Sequence, residues 1–152
     1  MIRVWRIARR RHASFDGAGA RIGGGRWNRK GTAVVYTSQS LALAALEYLV
    51  HLDAIDAPDD LVSVSAEIPG SLRIVTIRIE DLPPRWRSYP APEELAALGT
   101  DWVDRRTSAA LRVPSVIVPS EHNYLLNPSH ADFPRIQLGD ARRFSFDTRL
   151  RR

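Results

Sequence analysis

The 152-residue sequence contains no cysteine, one methionine and a single lysine, Lys30, among its 22 lysines and arginines. Without cysteine, disulfides and thiolate metal sites are excluded, and the cytoplasm is the expected compartment. No run of about 18 apolar residues is present, so a transmembrane helix is not expected. The N-terminal "MIRVWRIARRRH" places its charges after its apolar residues, the reverse of a secretory signal. Because lysine is almost missing, the net charge of +5 rests on arginine, the planar, bidentate binder of phosphates and carboxylates. The same bias also follows from genomic base composition. A basic surface suits nucleic acid or an acidic protein partner.

What is present is concentrated. Six of the nine glycines fall between Gly17 and Gly31, inside "GAGARIGGGRWNRKG". A chain of this length with 44% hydrophobic residues supports one domain with a real core, taken as residues 1–152 with a basic tail over 147–152. "RVWRIA" (3–8) reads as a first strand, and residues 9–31 as a long glycine-rich loop without a period of its own. "TAVVYTS" (32–38) reads as a β-branched strand and "SLALAALEYLVHL" (40–52) as a helix capped by Ser40. "LVSVSAEI" (61–68) and "LRIVTIRI" (72–79) alternate around an "IPGS" turn and predict a hairpin. Two short helices are expected over 91–98 and 100–111, and a buried strand over 113–120. The polar segment 121–133 follows, then a last alternating strand inside "ARRFSFDTRLRR". Many strands, few helices and no regular βαβ rhythm predict an α+β domain built on a mixed sheet.

The glycine loop invites a nucleotide-binding reading, but neither standard form fits. A P-loop lysine follows a glycine and precedes Ser or Thr, whereas Lys30 lies between Arg29 and Gly31. A dinucleotide fingerprint runs strand, glycine turn, helix, and this loop leads into a strand. What remains is a loop delivering Arg26, with Trp27 and Asn28, to the start of a strand that carries Tyr36. Arginine beside glycine-freed amides suits a diphosphate. A glycine-rich lid around a structural tryptophan accounts for the same residues. Glu47 is the sharper clue, because its helix is apolar almost all round and a carboxylate there needs a partner. Arg26 is a candidate for that partner. Ser115 stands on the expected strand 113–120, with two amides and a tyrosine of "NYLLNP" (123–128) close behind. His122 and His130 lie near it in sequence, but no nucleophile-elbow context surrounds Ser115, and their spacing suits no zinc site.

Together, "GARIGGGRWNRKGTAVVYTSQSLALAALEYLVHL" and "VPSVIVPSEHNYLLNPSHADF" closely resemble the RES domain family, toxins of bacterial RES–Xre toxin–antitoxin pairs named for an arginine, a glutamate and a serine. Those three map onto Arg26, Glu47 and Ser115. The resemblance implies an ADP-ribosyltransferase-like fold and action on NAD+ as substrate, without a metal. The expected reaction is cleavage of the nicotinamide–ribose bond by hydrolysis or phosphorolysis, or transfer of ADP-ribose to a protein. It implies Glu47, Arg26 and Ser115 as catalytic residues, and Arg6, Arg26, Tyr36, Ser115 and Asn127 as the NAD+-binding set. It further implies an Xre-type antitoxin that covers the cleft in a hetero-oligomer and supplies any DNA binding. A basic nucleic-acid-binding module, supported by "RRRH", "RLRR" and the charge, is the lower-ranked alternative.

Overall fold

Eight strands form one mixed sheet in the computed structural model, which describes residues 1–52 and 57–150. In chain order they are β1 (Ile2–Arg9), β2 (Val35–Ser38), β3 (Leu61–Ile68), β4 (Ile74–Thr76), β5 (Ala110–Pro114), β6 (His122–Leu126), β7 (Gln137–Leu138) and β8 (Arg142–Arg143). The sheet runs β4-β5-β6-β2-β1-β3-β7, with β8 also on β3. Three α-helices accompany it: α1 (Ala18–Gly23), α2 (Leu41–Leu49) and α3 (Glu93–Arg105). The α+β expectation therefore holds, and no helix among the described residues is long and apolar enough to cross a membrane.

Strand alternation sorts the core. One face of the sheet buries Val4, Val35, Val62, Val64, Ala66 and Leu126 with Phe15 and Leu72. The other face is covered by two helices. α2 lays Leu41, Ala44 and Tyr48 over Trp5 and Ile7, while α3 lays Leu95, Trp102 and Val103 over Leu111, Val113 and Leu125. Register pairs Trp5 with Ser38, Tyr36 with Leu125 and Ser38 with Asn123, so Tyr36, Ser38, Asn123 and Leu125 share this second face. The β2–β6 junction is thus left between the two helices.

Several expected elements take other forms. The expected 61–79 hairpin is absent: β4 pairs in parallel with β5, and β3 pairs antiparallel with β1. The two helices expected over 91–98 and 100–111 are one continuous helix through Gly99. A Cβ at Gly99 would overlap the carbonyl of Trp27, so this glycine marks a close approach between helix and loop rather than a break. The strand expected over 113–120 lies earlier, at β5, and Ser115 stands just beyond its end. Segment 9–31 is not a structureless loop, since it holds a 3-10 turn at Arg10–His12 and then α1. In the basic tail, residues 148–150 form a 3-10 turn and residues 151–152 lie outside those described.

Candidate active site

The glycine segment closes on a tight turn. Gly25 and Asn28 exchange backbone hydrogen bonds of 3.0 and 3.4 Å, which puts Arg26 and Trp27 at the tip. Trp27 enters the core beneath α3 and is structural. Asn28 is buried: its Nδ2 donates to the carbonyls of Ala20, Arg29 and Thr32, and its Oδ1 accepts from the Tyr36 hydroxyl at 2.6 Å. That hydroxyl in turn accepts from the Trp27 amide at 3.1 Å. A Cβ at Gly25 would stand 2.6 Å from the Tyr36 hydroxyl, which explains the last glycine of the triplet. Burial pushes the Tyr36 phenol well above its ordinary pKa, so it stays a neutral donor to Asn28.

With its neighbours so fixed, Arg26 extends toward the segment that precedes α3. Its Nη1 donates to the carbonyls of Trp86 and Ser88 at 2.9 and 3.2 Å. Neutral acceptors hold the guanidinium in place without cancelling its charge. Burial lowers its pKa, and the negative charge of Glu47 opposes that shift. The expected Arg26–Glu47 pairing is replaced by this longer-range attraction, because Glu47 has other partners.

Glu47 sits in the last turn of α2, half-buried. Its Oε1 accepts from Ser115 Oγ at 2.8 Å and from Asn123 Nδ2 at 2.7 Å. Ser115 Oγ itself accepts from the amides of Ile117 and Val118, each at 3.1 Å, so its hydroxyl is used in full and its one proton goes to Glu47. Ser38 Oγ donates to Asn123 Oδ1 at 2.7 Å. Among the described residues both donors to Glu47 fall on Oε1, and none falls on Oε2. The result is a carboxylate fixed by neutral donors on one oxygen and without a donor among the described residues on the other, within electrostatic reach of an arginine that it does not neutralise. Such a pair suits a ligand carrying an anion at one end and a hydroxylated, positively charged centre at the other.

Of the residues expected from sequence, Arg26, Tyr36, Glu47 and Ser115 converge here. Arg6 and Asn127 do not. Arg6 follows Trp5 on β1 and pairs with Val64, which by alternation puts it on the opposite face; its Nη2 donates to the His12 carbonyl at 2.9 Å. Desolvation lowers its pKa, with Asp16 acting against the shift. Asn127 lies beyond the far end of β6, fully buried, its Oδ1 accepting from the Ser129 amide at 3.0 Å. Asn123 and Ser38 are the members that sequence reasoning missed. The available signal was the β2–β6 register, which no local pattern states.

Comparison with known proteins gives the family and the fold. The chain is 39% identical over 151 residues to "Toxin Res" of Yersinia enterocolitica, covering 97% of this chain and 99% of that one. It is 40% identical over 154 residues to "Prs ADP-ribosylating toxin" of a Sphingobium species, covering 96% and 94%. Its fold is shared with the crystal structure of the Mycobacterium tuberculosis MbcT–MbcA toxin–antitoxin complex, at a TM-score of 0.78 and 14% identity over 95% of this chain and 84% of that one. The RES domain model matches residues 3–147, and the chain belongs to the RES domain family.

Proposed function

We propose that this protein is the toxin of a toxin–antitoxin pair and that it cleaves NAD+ at the nicotinamide–ribose bond. The observation that carries the reading is a carboxylate held through one oxygen by two neutral donors, within electrostatic reach of a guanidinium that it does not neutralise. NAD+ matches both charges: its diphosphate is the anion, and its nicotinamide riboside is the hydroxylated cation. The names of the relatives, two toxins and one of them ADP-ribosylating, support the same substrate class.

Nicotinamide is already a good leaving group. When its bond to ribose breaks, the electron pair goes to the ring nitrogen, neutral nicotinamide departs, and positive charge develops on the ribose. The site therefore has to orient NAD+ and stabilise that charge, and a strong general acid is not needed. Arg26 binds the diphosphate. Glu47 Oε2 accepts from a ribose hydroxyl and offsets the charge on the sugar, while Ser115 holds Oε1 in place. Tyr36, on the same sheet face, lines the nicotinamide side. The acceptor that completes the reaction is water or phosphate, which yields ADP-ribose or its 1-phosphate. Transfer to a protein side chain is the second reading, favoured by the Sphingobium relative's name. The MbcT–MbcA likeness supports an antitoxin as partner, and we assign it the cleft as its docking place.

The test is mass spectrometry of NAD+ incubated with purified protein, with and without phosphate and with and without cell lysate. Nicotinamide release in buffer alone supports the glycohydrolase, and a phosphorylated sugar product the phosphorylase. Consumption only with lysate moves the assignment to protein modification. NAD+ left intact in every arm overturns the reading.

A further inference from the structure

We propose that Asn123 is a positioning residue for this reaction, and that with Ser38 it forms a relay fixing which oxygen of Glu47 meets the substrate. The inference rests on the functional reading above. Glu47 needs such help. It lies in the last turn of α2, where the helix dipole opposes a carboxylate, so its own helix does not hold it. Its side chain turns about three torsions, and only contacts from other elements select one arrangement.

Two such contacts exist, and both fall on the same oxygen. Ser115 Oγ, from just beyond β5, and Asn123 Nδ2, from β6, approach Oε1 at 2.8 and 2.7 Å, leaving Oε2 without a donor among the described residues. Asn123 can do this in only one orientation of its amide, because the flipped amide would set Oδ1 against the carboxylate. The carboxylate, which only accepts, decides between them and takes the amide's donor end. The Ser38 hydroxyl then donates to Asn123 Oδ1 at 2.7 Å; Ser38 is itself buried, and the two residues are register partners across β2 and β6. Strand pairing thus sets Ser38 against Asn123, and Ser38 anchors the far end of the amide whose near end holds Glu47 Oε1.

The test is a kinetic cycle on the full chain, reading nicotinamide release in wild type, Asn123→Ala, Glu47→Gln and the double variant. Asn123→Ala is expected to lower kcat about 10- to 100-fold, the range in which misplaced groups slow catalysis, with KM changed less than about 3-fold. The same substitution made in Glu47→Gln is expected to cost less than about 2-fold, because the carboxylate it positions is gone. Asn123→Asp keeps the side chain's shape but replaces the donating amide with a second carboxylate against Glu47, and its kcat is expected to fall at least as far as that of Asn123→Ala. Ser38→Ala is expected to lower kcat by a smaller factor.

Wild-type kcat in Asn123→Asp overturns the proposal. So does an equal loss from Asn123→Ala in both backgrounds, which would mark a residue that only supports the fold. Where Glu47→Gln has no measurable turnover, the Asn123→Asp arm decides alone. A wild-type protein that leaves NAD+ intact with and without lysate is a different failure: it overturns the functional reading, and this inference with it.

Discussion

The strand β6 has an asparagine at each end, and the two have opposite fates. Asn123, at its start, uses both ends of its amide, taking a hydrogen bond from Ser38 and giving one to Glu47. Asn127, just past its end, takes one from the Ser129 amide, while its Nδ2 is buried without a partner among the described residues. Four residues apart, they have the same parity in sequence, so alternation alone does not distinguish them. What distinguishes them is the neighbouring element. The first meets α2 and its carboxylate. The second meets the turn at 127–130, where the His130 amide also bonds back to the Asn127 carbonyl at 3.1 Å. Identical side chains at the two ends of β6 therefore hold a carboxylate at one end and a chain reversal at the other.

Among these contrasts, breaking the Glu47 end has the largest expected effect. Ser115→Ala removes one of the two donors to Glu47 and strips the Ile117 and Val118 amides of their acceptor. Nicotinamide release is expected to drop about 10- to 100-fold, as for other misplaced catalytic groups. Chemical denaturation of the same variant is expected to show about 1–3 kcal/mol of lost stability, the cost of unpaired polar groups. Unchanged turnover would remove Ser115 from the account.

At the other end the balance reverses. Asn127→Ala removes the acceptor for the Ser129 amide, so a stability loss of about 1–3 kcal/mol is expected in urea melts. The kcat per folded molecule is expected to stay within about 2-fold of wild type, since a merely structural change costs little in turnover. A large rise in KM for NAD+ would instead return Asn127 to the binding set.

The glycine turn gives a sharper, smaller contrast. Gly25→Ala drives a methyl against the Tyr36 hydroxyl and Asn28 Oδ1, and overpacking of this kind costs about 1–3 kcal/mol. Because Arg26 is the next residue, KM for NAD+ is expected to rise along with the loss of thermal stability.

A control away from both ends has the smallest effect. Asp16 accepts from the Ala18 amide, and that bond holds its carboxyl below its ordinary pKa. A depressed carboxyl contributes stability above its unfolded value and loses it as pH falls through the folded one. Asp16 is largely exposed, and solvent screening leaves only a few tenths of a kcal/mol. The melting temperature of Asp16→Ala is thus expected to lie slightly below wild type at neutral pH. It is expected to meet wild type at pH values below the ordinary aspartate range.

Much of this was legible in the sequence, for reasons that differ by residue. Glu47 was conspicuous because a carboxylate on an apolar helix has to be paired. Arg26 was conspicuous because glycine freed its surroundings. Charge set against apolar context made these two residues candidates, and the resemblance to the RES domain family joined them with Ser115 into one expected site. Its other members were not legible, because Ser38 and Asn123 meet only through β2–β6 register, and Arg26 turned out to be held by two carbonyls rather than by Glu47. The misread elements share a cause. "VPSVIVPS" has strand composition, yet Ser115 turns the chain by accepting two amides from within the same run. Gly99 resembles a helix break and is instead the point where the Trp27 backbone touches α3. β4 alternates like half of a hairpin, but its partner β5 lies beyond α3 in sequence.

The most direct measurement is the rate of nicotinamide release from NAD+ by Glu47→Gln relative to wild type, with thermal unfolding of both recorded alongside. The account predicts a loss of at least about 100-fold, the scale of removing a transition-state charge partner, with the fold intact because glutamine still accepts from Ser115 and Asn123. A folded Glu47→Gln that releases nicotinamide at the wild-type rate would contradict it.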